Sequence, residues 1–208
     1  MRIKIACALS VAIPLLARQP ERAKHAMVVT QEPLAADVGL RVLQSGGNAI
    51  DAAVAIGFAL AVTYPFAGNI GGGGFMLVHF ADGKNTFIDF REKAPLAATR
   101  NMYLDSKGSV TEDSLVGWRA AGVPGTVRGL ALAHEKYGHK PWVELLNPAI
   151  QLATEGYPVS FSMDASLKNS AGLLSRFPES KRIFLSAHYD DRLIQPALRG
   201  HWDATPGI

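Results

Sequence analysis

The sequence predicts an α+β fold, with helices and one antiparallel hairpin in separate stretches of the chain. Three observations carry this. Residues 49–62 are apolar on every side, as in a helix buried all round. Asp82-Gly83, between two apolar runs, is a strong hairpin turn signal. Two further helical stretches, 126–137 and 147–156, then follow one another with no strand between them.

In chain order, residues 27–30 (Met27-Val28-Val29-Thr30) read as a short strand. Pro33 then opens a helix in which Leu34, Val38 and Val42 recur four apart, with Leu43 beside them. Gly46-Gly47 ends it, since glycine accepts the left-handed cap conformation without steric cost. Asn48 is placed to cap the next helix, and Asp51 lies where a carboxylate meets the positive helix end. That helix is too short to cross a bilayer, so the centre of a layered domain is its expected place. Pro65 stops it.

Gly71-Gly72-Gly73-Gly74 follows, then an apolar strand over 75–80 and its partner over 86–90. The helix over 126–137 ends at Gly138. For the last helix, Asn147 reads as the N-cap, Pro148 as the first helical residue and Gly156 as the stop.

Composition agrees with a folded protein: 48% of residues are hydrophobic and 19% charged. The net charge is +3, and losing residues 1–17 would remove Arg2 and Lys4 and no acid, leaving +1. With no concentrated run of Lys and Arg, a nucleic-acid partner is not expected; Lys181-Arg182 reads as a solvated pair. Arg2 and Lys4 precede an apolar stretch over 5–17, the pattern of a secretory signal, which is removed in the mature protein. A start codon placed too far upstream is the competing reading. No stable membrane span is expected, and the location implied is periplasmic or secreted. The single cysteine, Cys7, falls inside the signal, so the remainder offers neither a disulfide nor a thiol nucleophile.

The four glycines allow two uses. Their amides could approach a ligand, as in phosphate loops. However, a Walker loop needs Lys followed by Ser or Thr, and a dinucleotide fingerprint runs from strand to helix, whereas this run lies between a helix and a strand. A close-packed backbone crossing beneath a site is the expected role. Asp89-Phe90-Arg91-Glu92-Lys93-Ala94-Pro95 places four charged residues at the end of the hairpin. Its arginine could hold a substrate carboxylate through two parallel hydrogen bonds. The residues alone favour a solvated ion cluster. His134 and His139, five apart, share no helix face and give no metal spacing.

Taken in order, five segments resemble the γ-glutamyltransferase (glutathione hydrolase) family. They are Leu43-Gln44-Ser45-Gly46-Gly47-Asn48-Ala49-Ile50-Asp51-Ala52-Ala53, Gly68-Asn69-Ile70-Gly71-Gly72-Gly73-Gly74-Phe75-Met76, the charged run from Asp89 to Pro95, Gly122-Val123-Pro124-Gly125-Thr126-Val127, and Asn147-Pro148-Ala149-Ile150-Gln151-Leu152-Ala153-Thr154-Glu155-Gly156. The resemblance covers residues 26–198 and identifies them as the N-terminal part of the large subunit. It implies an N-terminal-nucleophile hydrolase, here an incomplete αββα sandwich, made as a precursor that cuts itself into a large and a small subunit. The small subunit's first threonine attacks the γ-glutamyl amide of glutathione and passes the γ-glutamyl group to water or an amino acid. No metal or organic cofactor is implied.

One functional position transfers to this chain: Arg91, which in the resemblance binds the α-carboxylate of the γ-glutamyl group. That reverses the preference for a surface cluster. Glu92 would orient Arg91 or meet the substrate amine. The nucleophile lies downstream in the family, so no catalytic residue is expected here, and this chain alone is expected to be inactive; Thr205 stands at no recognisable processing site. Residues 199–208 lose the family pattern, as a frameshift or early truncation would produce. Two competing readings are a cephalosporin acylase-like amidase on the same scaffold and a non-catalytic interaction protein retaining half of it.

Overall fold

The computed structural model describes residues 21–186. The expected signal segment over 1–17 with Cys7, and the atypical tail over 199–208 with Thr205, lie outside them. Among the described residues, six α-helices and one two-stranded antiparallel sheet make up the architecture: α1 (Pro33–Gln44), α2 (Ala49–Thr63), β1 (Phe75–His79), β2 (Asn85–Asp89), α3 (Thr126–Tyr137), α4 (Trp142–Glu155), α5 (Phe161–Leu174) and α6 (Pro178–Lys181). The class is α+β, as the sequence predicts.

α2 occupies the centre and packs against α1, α3 and α4. Ala52, Val54, Ala55 and Ala59 are buried on it, and their small side chains let the neighbouring helices approach closely. Val38 and Val42 of α1, Leu130 and Ala133 of α3, Leu145 of α4 and Ile88 of β2 complete the core.

Both ends of α2 are fixed by local chemistry. The Asn48 side chain accepts the N–H groups of Ile50 and Asp51, and Asp51 returns a bond to the Asn48 N–H at 2.9 Å, forming a capping box. Asn48 also donates from Nδ2 to the Tyr137 carbonyl at 2.7 Å, tying this end of α2 to the end of α3. At the opposite end, Tyr64 is the C-cap and Pro65 follows.

The hairpin pairs Phe75 with Asp89, Leu77 with Phe87 and His79 with Asn85. Gly83 makes the turn at φ +84°, where a side chain would be strained. Met76, Val78 and Ile88 face the helices, whereas Phe75, Leu77 and Phe87 on the other face are exposed. Phe75 and Phe87 stack there with ring centroids 5.5 Å apart.

Three expectations need correction. Residues 27–30 form no strand, because no other described segment lies alongside to complete a ladder. α4 begins at Trp142, with Pro148 in its interior and Pro141 as the N-cap. The proline removes one backbone hydrogen bond, but the earlier turn is held by packing: Leu145 is buried and Trp142 meets Phe58 of α2 edge-on at 5.5 Å. α5 and α6 were not anticipated. Ser160 caps α5, its side chain accepting the Met163 N–H, so the cap is readable in principle. Among the described residues, no helix is long and apolar enough to cross a membrane.

Candidate functional site

Arg91 stands two residues beyond β2, where the hairpin ladder makes its last exchange. Phe90 N–H donates to the Gly74 carbonyl at 3.0 Å, and Gly74 N–H donates back to Phe90 at 3.4 Å. The Arg91 N–H is then taken by the Asp89 carboxylate at 3.0 Å, turning the chain outward. After Glu92, Lys93 and Val123 exchange a reciprocal pair of backbone bonds at 3.2 and 2.8 Å. These bonds close the neck of the long excursion over 94–122.

The fold thus gathers three of the five sequence segments around one arginine. The glycine run and the 122–126 segment both lie against Phe90-Arg91-Glu92. Gly125 and Thr126 N–H groups both donate to the Gly72 carbonyl, at 2.9 and 3.1 Å, and Thr126 Oγ1 donates to the Asn69 carbonyl at 3.3 Å. The remaining two segments build the helical core. The expected close-packed glycine crossing is therefore present: a Cβ on Gly73 would stand 2.5 Å from the Phe90 carbonyl oxygen and 2.7 Å from the Glu92 nitrogen.

The Arg91 side chain is 63% exposed, with Nε 3.3 Å from Glu92 Oε2 and its guanidinium carbon 5.7 Å above the Phe75 ring. Among the described residues, neither terminal nitrogen of Arg91 is hydrogen-bonded. The edge that can grip a carboxylate is left open. The Glu92 carboxyl is held below the usual glutamate range, first by its own backbone N–H, then by the Arg91 side chain and the Gly73 N–H, against the opposing effect of desolvation. An ion pair and an open guanidinium edge therefore coexist at this position.

Elsewhere His134, Arg182 and Asp51 have structural duties. His134 Nε2 lies 2.7 Å from the Lys140 carbonyl, and its ring lies against Trp142. Arg182 pairs with Glu179. Asp51, fully buried, was legible only as a helix cap; it also accepts the N–H groups of His139 and Lys140. A cavity of about 420 Å³ between the 115–121 segment and α5–α6 is lined by Leu115, Trp118, Leu173 and Phe177, with Glu179 and Ser180 as its polar residues.

Residues 35–198 match the family described as Gamma-glutamyltranspeptidase. The chain belongs to the gamma-glutamyltranspeptidase family. It is 61% identical, over 139 residues, to the glutathione hydrolase proenzyme of Pseudomonas sp. (strain A14), a match covering 66% of this chain and 24% of that protein. The crystal structure of Helicobacter pylori gamma-glutamyltranspeptidase superposes with a TM-score of 0.76 at 50% identity, covering 78% of this chain and 47% of that one. A more distant relative, the acylase ACY 1 proenzyme of Pseudomonas sp. (strain SE83), is 37% identical over 88% of this chain and 33% of its own length. The chain thus spans about a quarter of the length of the glutathione hydrolase relative.

Proposed function

We propose that this chain is the N-terminal part of the large subunit of a γ-glutamyltransferase, and that Arg91 holds the α-carboxylate of the γ-glutamyl donor. One observation carries the reading: the open guanidinium edge of Arg91 stands where the glycine run, the Asp89–Lys93 segment and the 122–126 turn converge. A planar fork of this kind matches both carboxylate oxygens at once. The donor would be glutathione or a related γ-glutamyl compound.

The nucleophile is a threonine of the small subunit, released at its N-terminus by self-cleavage of the precursor. Its α-amine accepts the hydroxyl proton as the hydroxyl oxygen attacks the γ-amide carbonyl. The amide C–N bond breaks, the amine leaves protonated, and the resulting γ-glutamyl ester is resolved by water or by an amino acid. The exposed outer face of the hairpin, with Phe75, Leu77 and Phe87, is where a second sheet of the αββα sandwich would pack. Export to the periplasm or medium follows from the basic and apolar first 17 residues.

The similarity to the acylase proenzyme supports a second reading, an amidase for a different acyl group. A chimeric precursor separates the two: residues 26–198 of this chain joined to the rest of the Pseudomonas sp. (strain A14) proenzyme. The γ-glutamyl reading expects turnover of a γ-glutamyl anilide and almost none of a butyryl anilide, which lacks both the carboxylate and the amine. Equal turnover of the two would overturn it. The purified 208-residue chain alone is expected to turn over neither.

A further inference from the structure

The side chain of Arg91 is mostly exposed and has one ion pair, so little of its position comes from contacts made by the side chain itself. Its backbone is held far more tightly. A Cβ on Gly73 would fall 2.5 Å from the Phe90 carbonyl oxygen, 2.7 Å from the Glu92 nitrogen and 2.9 Å from the Arg91 carbonyl carbon. A Cβ on Gly125 would collide with the same Phe90 carbonyl and lie 2.8 Å from its carbon. The Phe90–Arg91 peptide therefore lies against two bare Cα atoms. The two walls are tied together, since the Gly125 N–H donates to the Gly72 carbonyl at 2.9 Å. Gly129 of α3 leaves no space between its Cα and the Phe90 ring, which fixes the residue preceding Arg91.

Conformational freedom is not what these positions use. Neither Gly73 nor Gly125 has a positive φ, and Gly125 sits at φ −118°, ψ −14°, on the side of the map that residues with a side chain also occupy. What glycine supplies is clearance. We propose that Gly73 and Gly125 form a backbone collar that positions Arg91 for the donor carboxylate, an inference that rests on the carboxylate role proposed above. Real Cβ atoms essentially never come within 3.0 Å of such a neighbour, so alanine at Gly73 forces its own backbone and the Phe90–Glu92 backbone apart by at least about 0.5 Å. That is roughly the tolerance of a working binding constellation.

The test is donor kinetics in the chimeric precursor. Gly73→Ala should raise the KM for the γ-glutamyl anilide about tenfold, with kcat changing much less. Gly47→Ala is the stability control: its Cβ would meet the Val42 carbonyl at 2.9 Å, at the α1–α2 joint, and it should leave the KM alone. On an Arg91→Ala background, Gly73→Ala should add no further rise. An unchanged KM in Gly73→Ala, or an equal rise on the Arg91→Ala background, overturns the collar while leaving the carboxylate role standing. An unaltered KM in Arg91→Ala alone removes both. If Gly73→Ala fails to process, Gly74→Ala replaces it, because its Cβ would press only the edge of the Phe90 ring at 3.1 Å. A rise of about twofold to threefold is then expected by the same displacement argument, and no rise overturns the collar.

Discussion

Asp51 and His139, 88 residues apart, are joined directly: the His139 N–H donates to both carboxylate oxygens, at 3.0 and 3.2 Å. The same carboxylate takes the Lys140 N–H at 3.2 Å and the Asn48 N–H at 2.9 Å. A fully buried carboxyl group is tolerated here because backbone donors surround it.

Replacing Asp51 by alanine would strand those amide groups in the interior. A loss of about 3 kcal/mol is expected, in line with the cost of leaving buried partners of a charged group unsatisfied. The urea midpoint of the chain, against Asn48→Ala as a milder change at the same joint, is the measurement. A loss below about 0.5 kcal/mol, the level of an ordinary surface change, would contradict the staple.

The register of α4 makes a second prediction. Leu145 is buried at 1% exposure and Ile150 is 52% exposed on the same helix. Leu145→Ala should cost about 2–5 kcal/mol and Ile150→Ala about 0.5 or less. A helix that began at Pro148 would leave Leu145 in a loop, and its truncation would then be mild.

Glu92 gives a pH dependence. Its carboxyl titrates below the ordinary glutamate value, chiefly through its own backbone N–H and then through Arg91. Any stability it contributes is thus present above that ordinary value and is lost as pH falls through its lower, folded one. Arg91→Ala should move the NMR-observed midpoint upward but not fully back, since the backbone amides remain. A midpoint unmoved by Arg91→Ala would rule out the pair in solution.

Local features were legible in the sequence and tertiary ones were not. The α1–α2 joint, the hairpin turn and the span of α3 follow from caps, glycines and apolar period, which act within a few residues. Pro148 misleads because its position resembles a first helical residue, while the packing that extends α4 backward involves Phe58, far away in sequence. Arg91 alone reads as one charge among four. Its setting appears only when the chain brings Gly73 and Gly125 against the backbone beside it, and no local pattern reveals that encounter.

The carboxylate role of Arg91 is tested most directly by steady-state kinetics on the processed chimera, with a gel for self-cleavage alongside. Arg91→Lys keeps the charge but loses the fork, and Arg91→Ala loses both. Truncating such a pair costs about 2–5 kcal/mol, so kcat/KM for the γ-glutamyl anilide should fall by roughly one to three powers of ten, least for lysine, with cleavage intact. Well-cleaved Arg91→Ala with unchanged donor affinity would contradict the account.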